Sequence, residues 1–197
     1  MKKQAALLAI AIMIALSGCG KASDESAAGG EHEAASGNHA GGHEGMEHSD
    51  SGEVPSGLKT AAEPAFPTGS KAVLETEHMS GMKGAEATVV GAYDTIVYAV
   101  SYDSTTGKDK VANHKWVIHE ELADAGEEAY EPGTKVVLKA DHMEGMDGAA
   151  AVIDSAERMT VYMVDYKPVT GGEWVTNHKW VTESELSKPQ QGDETVS

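Results

Sequence analysis

The sequence predicts an all-β protein made of two tandem SH3-like small β-barrels of about 60 residues each, set behind a disordered N-terminal tether. Three observations carry that expectation. Residues 66–122 lie over residues 130–186 without a gap, and about 25 of the 57 aligned positions are identical. Short runs of β-branched and aromatic residues recur between glycine-containing turns. No stretch inside a copy sustains a helical period over more than about ten residues. Two copies make a tandem duplication, since a solenoid needs three or more units, and units of this size are small for an independent core but within the range that folds alone.

Each copy spells out the same order of elements. A Gly-Ser or Gly-Thr turn opens the runs KAVLETE and KVVLKAD, which read as a first strand. AEATVVGA and AAAVIDSA follow as a second, then TIVYAVSYD and TVYMVDYKP as a third, with Tyr98, Val100 and Tyr102 (Tyr162, Val164 and Tyr166 in the second copy) on one face at period two. The turns TTGKDK and TGGEW lead to a last strand ending in NHKWV, and a brief acidic turn, EEL or SEL, closes the copy. Trp116 and Trp180 are the expected large core residues, each indole N–H needing a partner. The barrels are bounded at 58–123 and 124–188, with a disordered tail over 189–197.

The N-terminus sets the compartment. Lys2 and Lys3 precede an apolar run from Ala5 to Leu16; this is the h-region of a signal peptide, too short to span a bilayer, so residues 1–18 are read as an export signal. LSGC resembles the bacterial lipobox, which implies that Cys19 is lipidated and becomes the mature N-terminus; two or more acyl chains anchor stably where one does not. Cys19 is the single cysteine of the chain, so no intrachain disulfide can form. Residues 19–57 hold little that could be buried and cannot offset the entropy of ordering, which makes them a flexible tether. That tether carries His32, His39, His43, Met46 and His48, a composition suited to loose metal binding. A net charge of −17 disfavours nucleic acid and anionic lipid surfaces as partners.

The residues that could carry chemistry lie in two islands repeated 64 positions apart. HMSGM (78–82) and HMEGM (142–146) fall between the first and second strands, in loops rich in glycine. Thioether and imidazole together suit Cu(I), whereas Mg²⁺ and Ca²⁺ prefer oxygen and zinc rarely takes methionine. Glycines let positions i, i+1 and i+4 converge, so the expected metal ligands are His78, Met79 and Met82 in one loop and His142, Met143 and Met146 in the other. The competing reading is a Met-lined turn packing on its own barrel. NHKW (113–116 and 177–180) is the second island: His114 and His178 either complete the metal sites or are satisfied structural residues, and Asn113 and Asn177 fix a turn or bulge. His119 is replaced by Glu183 in the second copy, so its role is local. No nucleophile elbow, HExxH helix, phosphate loop or dinucleotide fingerprint is present, and the expectation is a protein that is not an enzyme.

The lipobox, the His/Met/Gly-rich spacer ending in SGEVPSGL, and two copies carrying HMxGM, VYxVxY and NHKWV together resemble the YdhK family of bacterial lipoproteins, a family that includes the staphylococcal copper-resistance lipoprotein CopL. The resemblance covers essentially the whole chain. It implies a lipoprotein anchored outside the membrane of a Gram-positive cell that binds Cu(I) through the two HMxGM motifs and limits copper toxicity. A cell-wall or protein-interaction module and a chaperone handing copper to an exporter stay open as alternatives.

Overall fold

The segments expected as second and third strands run on as one. In the computed structural model, β3 extends unbroken over Glu86–Asp103 and its counterpart β6 over Ala150–Tyr166. Between the two halves of β3 there is no turn residue in a turn conformation: Gly91 is extended, and the ring of Tyr93 occupies the space where a side chain would stand. The structure describes residues 50–107 and 110–190. The segments expected to be a signal peptide, a lipidated Cys19, a His-bearing tether to residue 49 and a tail from residue 191 lie outside the described residues.

The remaining strands are β1 (Lys59–Thr60), β2 (Lys71–Leu74), β4 (Lys110–Ile118), β5 (Lys135–Val137), β7 (Val175–Thr182) and β8 (Leu186–Ser187). β3 and β6 pair antiparallel along nearly their whole length. On its other edge β3 carries β2, β1 and β4, while β6 carries β5 and β7. Ala87 pairs with Tyr166, and their counterparts Ala151 and Tyr102 pair in the same way. The two copies are therefore related by a pseudo-twofold axis across the β3–β6 pair.

The all-β class and the duplication hold, but two separate SH3-like barrels do not form. All eight strands belong to one sheet, which is not closed, and the boundary expected near residue 123 separates no packing unit. The cores explain why. One cluster joins Ala72, Leu74, Met82 and Val89 of the first copy to Tyr162, Val164, Tyr166 and Val181 of the second. The mirror cluster joins Tyr98, Val100, Tyr102 and Val117 of the first to Leu138, Met146 and Ile153 of the second. A third, at the centre, brings together Val97, Ile118, Val161, Met163 and Trp180. Each core takes its front half from one copy and its back half from the other, so a single copy has no complete hydrophobic core to bury.

The β-hairpin tips lock this exchange. Val169 in the β6–β7 connection donates its N–H to Gly81 O at 2.9 Å, and Thr105 in the β3–β4 connection donates to Gly145 O at 2.9 Å. Both glycines sit at positive φ, +76° and +78°, and a Cβ at either would collide with Thr170 or Ser104. The glycine of each HMxGM loop is thus required by the backbone and by the other copy's hairpin at once.

Candidate metal centre

Two loops and two bulges build the site. After β2, the chain turns through HMSGM with Met82 N–H donating to Met79 O at 3.2 Å; after β5, Met146 N–H donates to Met143 O at 3.2 Å. In β4 and β7 the asparagine of NHKW takes a left-handed conformation, φ 51° at Asn113 and 52° at Asn177. The pairing with β3 and β6 shifts register around the histidine that follows. Ser101 Oγ accepts the Asn113 N–H at 3.0 Å and Asp165 Oδ1 accepts that of Asn177 at 2.7 Å. A bulge of this kind re-aims the next side chain, here His114 and His178. The following Lys115–Trp116 and Lys179–Trp180 peptide bonds are both cis.

The histidines meet crosswise. His78 of the first loop lies against His178 of the second copy, ring centres 6.2 Å apart, and His142 lies against His114, 6.1 Å apart. Tyr166 stands edge-on to His178 at 5.8 Å and donates its hydroxyl to Met79 Sδ at 3.4 Å. Tyr102 stands edge-on to His114 at 6.1 Å. The first centre therefore gathers His78, Met79, Tyr166 and His178, and the second places His142, with Met143 next to it in the chain, against His114, which Tyr102 meets edge-on.

Met82 and Met146 reach into the cores. Both are fully buried within the two mirror cores. In the first motif Met79 is only half-buried while Met82 packs among aliphatic and aromatic side chains; in the second motif Met143 and Met146 are both buried. His119 is satisfied by Tyr98 Oη at 2.8 Å and Gly126 O at 2.7 Å, which ties the linker to β3 and fits its absence from the second copy.

A glutamate from the partner copy holds each loop histidine. Glu185 Oε1 accepts His78 Nε2–H at 2.8 Å, and Glu121 Oε1 accepts His142 Nε2–H at 2.7 Å. Each carboxylate also takes the indole N–H that the tryptophans were expected to place: Trp116 on Glu185 at 2.9 Å, Trp180 on Glu121 at 3.1 Å. Both glutamates end a short 3₁₀ turn, His119–Glu121 or Glu183–Glu185, and each reaches back to the N–H of the residue before it. Sequence reading passed over these two residues as part of an acidic turn. The signal was available: they are identical between the copies, each followed by leucine.

The chemistry follows from the tautomer. An ionised carboxylate only accepts, so the imidazole nitrogen facing it must carry hydrogen. In the neutral ring the lone pair is then on Nδ1, and the Nδ1 atoms of His78 and His142 are buried with no hydrogen-bond partner. A carboxylate-oriented histidine with its other nitrogen open is the usual arrangement behind a metal ion. Among the described residues there is no group of three or more His, Cys, Asp or Glu that could hold an ion. Any ion held here would draw on thioether sulfur beside imidazole.

Burial pushes the Glu185 carboxyl up, but the hydrogen bond and charge of His78, the Thr182 N–H and the Trp116 N–H outweigh it and hold the group at about 2, against an ordinary value of 4.5. A carboxylate depressed in the fold contributes stability above its unfolded pKa and loses it as pH falls to the folded value. The fold is therefore expected to weaken progressively between pH 4.5 and 2. Denaturant melts across that window test this: Glu185→Gln should be less stable than the wild type at pH 6 and converge with it at the acid end.

Comparison with known proteins bears on the whole arrangement. The family described as a protein of unknown function (DUF1541) matches residues 68–119 and again 132–183. The chain belongs to the DUF1541 family. Each DUF1541 match spans one loop histidine and one NHKW histidine, and stops two residues short of Glu121 or Glu185. YdhK of Bacillus subtilis, described as uncharacterized, is 59% identical over 145 residues, which cover 74% of this chain and 71% of that protein. A crystal structure of that DUF1541 family protein matches with a TM-score of 0.72 at 58% identity, over 75% of this chain and 100% of that one. The solution NMR structure of the YdhK C-terminal domain matches with a TM-score of 0.60 at 61% identity, over 62% of this chain and 92% of that one.

Proposed function

We propose that the protein binds Cu(I) as cargo at two composite centres and sequesters it outside the membrane, to which it is anchored through Cys19. The observation that carries this reading is the pair of buried, unpartnered Nδ1 atoms on His78 and His142, each oriented by a glutamate and set against a second histidine, with Met79 beside the first and Met143 adjoining the second. His78, Met79 and His178 would hold one ion, and His142, Met143 and His114 the other. Imidazoles that share an ion through nitrogen at about 2 Å have ring centres on the order of 5–6 Å apart, and the observed 6.2 and 6.1 Å need only a small closure. A thioether needs no deprotonation, so a site with methionine beside imidazole keeps partial affinity in acid better than an all-imidazole site. Outside the cell, methionine also offers soft ligation without a reactive thiol.

Met82 and Met146 support the centres from the apolar side. A titration of Cu(I) against a colorimetric chelator tests the reading. Replacing Met79 and Met143 by leucine should lower affinity by about tenfold or more, on the scale of losing a ligand or its orientation. The Met82→Leu/Met146→Leu chain, a volume-conserving change in the core, should lose less. Failure of the wild-type chain to compete for Cu(I) at micromolar chelator would sink the proposal.

A further inference from the structure

Two buried tyrosines hold equivalent places in the two copies and do different things. Tyr102 near the end of β3 and Tyr166 at the end of β6 are both buried, each ring edge-on to the NHKW histidine of its own copy. The Tyr102 hydroxyl is buried without a hydrogen-bond partner. The Tyr166 hydroxyl crosses to the first copy and meets Met79 Sδ at 3.4 Å. Chemistry fixes the direction of that contact: a thioether carries lone pairs and no hydrogen, so the phenol donates and the sulfur accepts. Satisfying a buried phenol could by itself explain the contact. Tyr102 speaks against that, because the fold tolerates the same hydroxyl at the equivalent position with no partner.

What the contact does follows from the methionine. Met79 is half-buried in a loop, and its unbranched side chain is flexible, with rotamer freedom that must be given up when the sulfur is held beside an ion. Tyr166 is rigid by comparison: it is paired with Ala87 of β3 and Val175 of β7 and packed into the core with Leu74 and Met82. Its hydroxyl takes one lone pair of Sδ and leaves the other for a second partner. Since the same tyrosine touches His178 with its ring and Met79 with its hydroxyl, it ties two residues of the first centre, one from each copy, to a single fixed strand.

We propose that Tyr166 is a positioning residue of the first centre, its hydroxyl aiming the Met79 sulfur at the space between His78 and His178 before any ion arrives, and that the second centre lacks this device. This rests on the copper reading above and adds to it the residue that presets the thioether.

The full chain labelled with ¹³C-methyl methionine and ¹⁵N-histidine tests this in two steps. In the metal-free chain, Tyr166→Phe should move the Met79 methyl signal toward that of a freely rotating methionine while the Met82 methyl stays in place. An unmoved Met79 methyl overturns the inference and leaves the copper reading standing. Under competition with a colorimetric chelator, the ring signals of His78 should then report a Cu(I) affinity about three- to tenfold lower in Tyr166→Phe, the worth of one ordinary hydrogen bond, with the affinity read at His142 unchanged. In a Met79→Leu chain the same substitution should cost nothing further, because the effects of residues in contact are not additive. An unaltered affinity at His78, or an equal loss with and without the Met79 sulfur, overturns the inference, the second result assigning Tyr166 a packing role only. A wild-type chain in which neither His78 nor His142 responds to Cu(I) overturns the copper reading and the positioning role with it.

Discussion

A single copy, residues 58–123 expressed alone, is expected to remain unfolded at concentrations where it stays monomeric. Its β3 would lose the whole of β6, with which it pairs from Ala87 to Tyr102, and both faces of its core would be left open. Met82 and Leu74 would have no Tyr162, Val164 or Tyr166 to pack on. Tyr98, Val100 and Tyr102 would have no Leu138 or Ile153. Burying apolar surface is worth about 25 cal/mol per Å², and a chain of this length has little margin even with a complete core. Far-UV circular dichroism and amide dispersion in an NMR spectrum check this; a cooperative unfolding transition in the monomeric single copy would contradict the exchanged-core architecture.

Replacing Glu121 by alanine is expected to cost about 3 kcal/mol or more, since each buried donor left without an acceptor costs about 1–3 kcal/mol. Glu121 is 5% exposed and is the acceptor for His142 Nε2–H, Trp180 Nε1–H and the Ile118 N–H. Alanine leaves three buried donors without an acceptor and a void beside Trp180, which has no exposed surface. Glutamine keeps the shape but offers one carbonyl to these donors and turns an N–H₂ toward the rest, so it should fall between alanine and wild type. Chemical denaturation measures the loss. Because Glu121 orients His142, Glu121→Gln should also weaken Cu(I) at that centre by about 10–100-fold, the usual effect of losing a carboxylate behind a histidine ligand, with the His78 centre held by Glu185 unaffected.

Much of this protein was legible in its sequence, and what was hidden has one physical cause. The all-β class followed from period-two runs and turn residues, and the candidate ligands followed from HMxGM and NHKW standing in register in both copies. The left-handed Asn113 and Asn177 agree with an asparagine placed to make a bulge. The crosswise assembly was not legible, because the copies are identical at the residues that meet. His78 facing Glu121 or Glu185, and His114 or His178, would satisfy the same local chemistry, so no pattern within one chain selects between them. The choice is made by β3 and β6, whose continuity through Gly91 depends on Tyr93 covering the glycine and on long-range pairing, neither of which a short window reveals. Spacing likewise placed both methionines of the motif together as ligands. Burial separates Met79, which meets Tyr166, from Met82 inside the core, whereas Met143 and Met146 are both buried. Glu121 and Glu185 were overlooked because surface-like acidic turns are common, and a carboxylate shows its use only when its partners arrive from the other copy.

The central claim is that each metal centre is shared between the copies, and Cu(I) stoichiometry in two double variants tests it most directly. His78→Ala/His178→Ala removes two residues from one centre, whereas His78→Ala/His114→Ala removes two from one copy and so one from each centre. The shared-centre account predicts that the first chain retains one high-affinity Cu(I) and the second retains none. The opposite order, one ion kept by His78→Ala/His114→Ala and none by His78→Ala/His178→Ala, would contradict it.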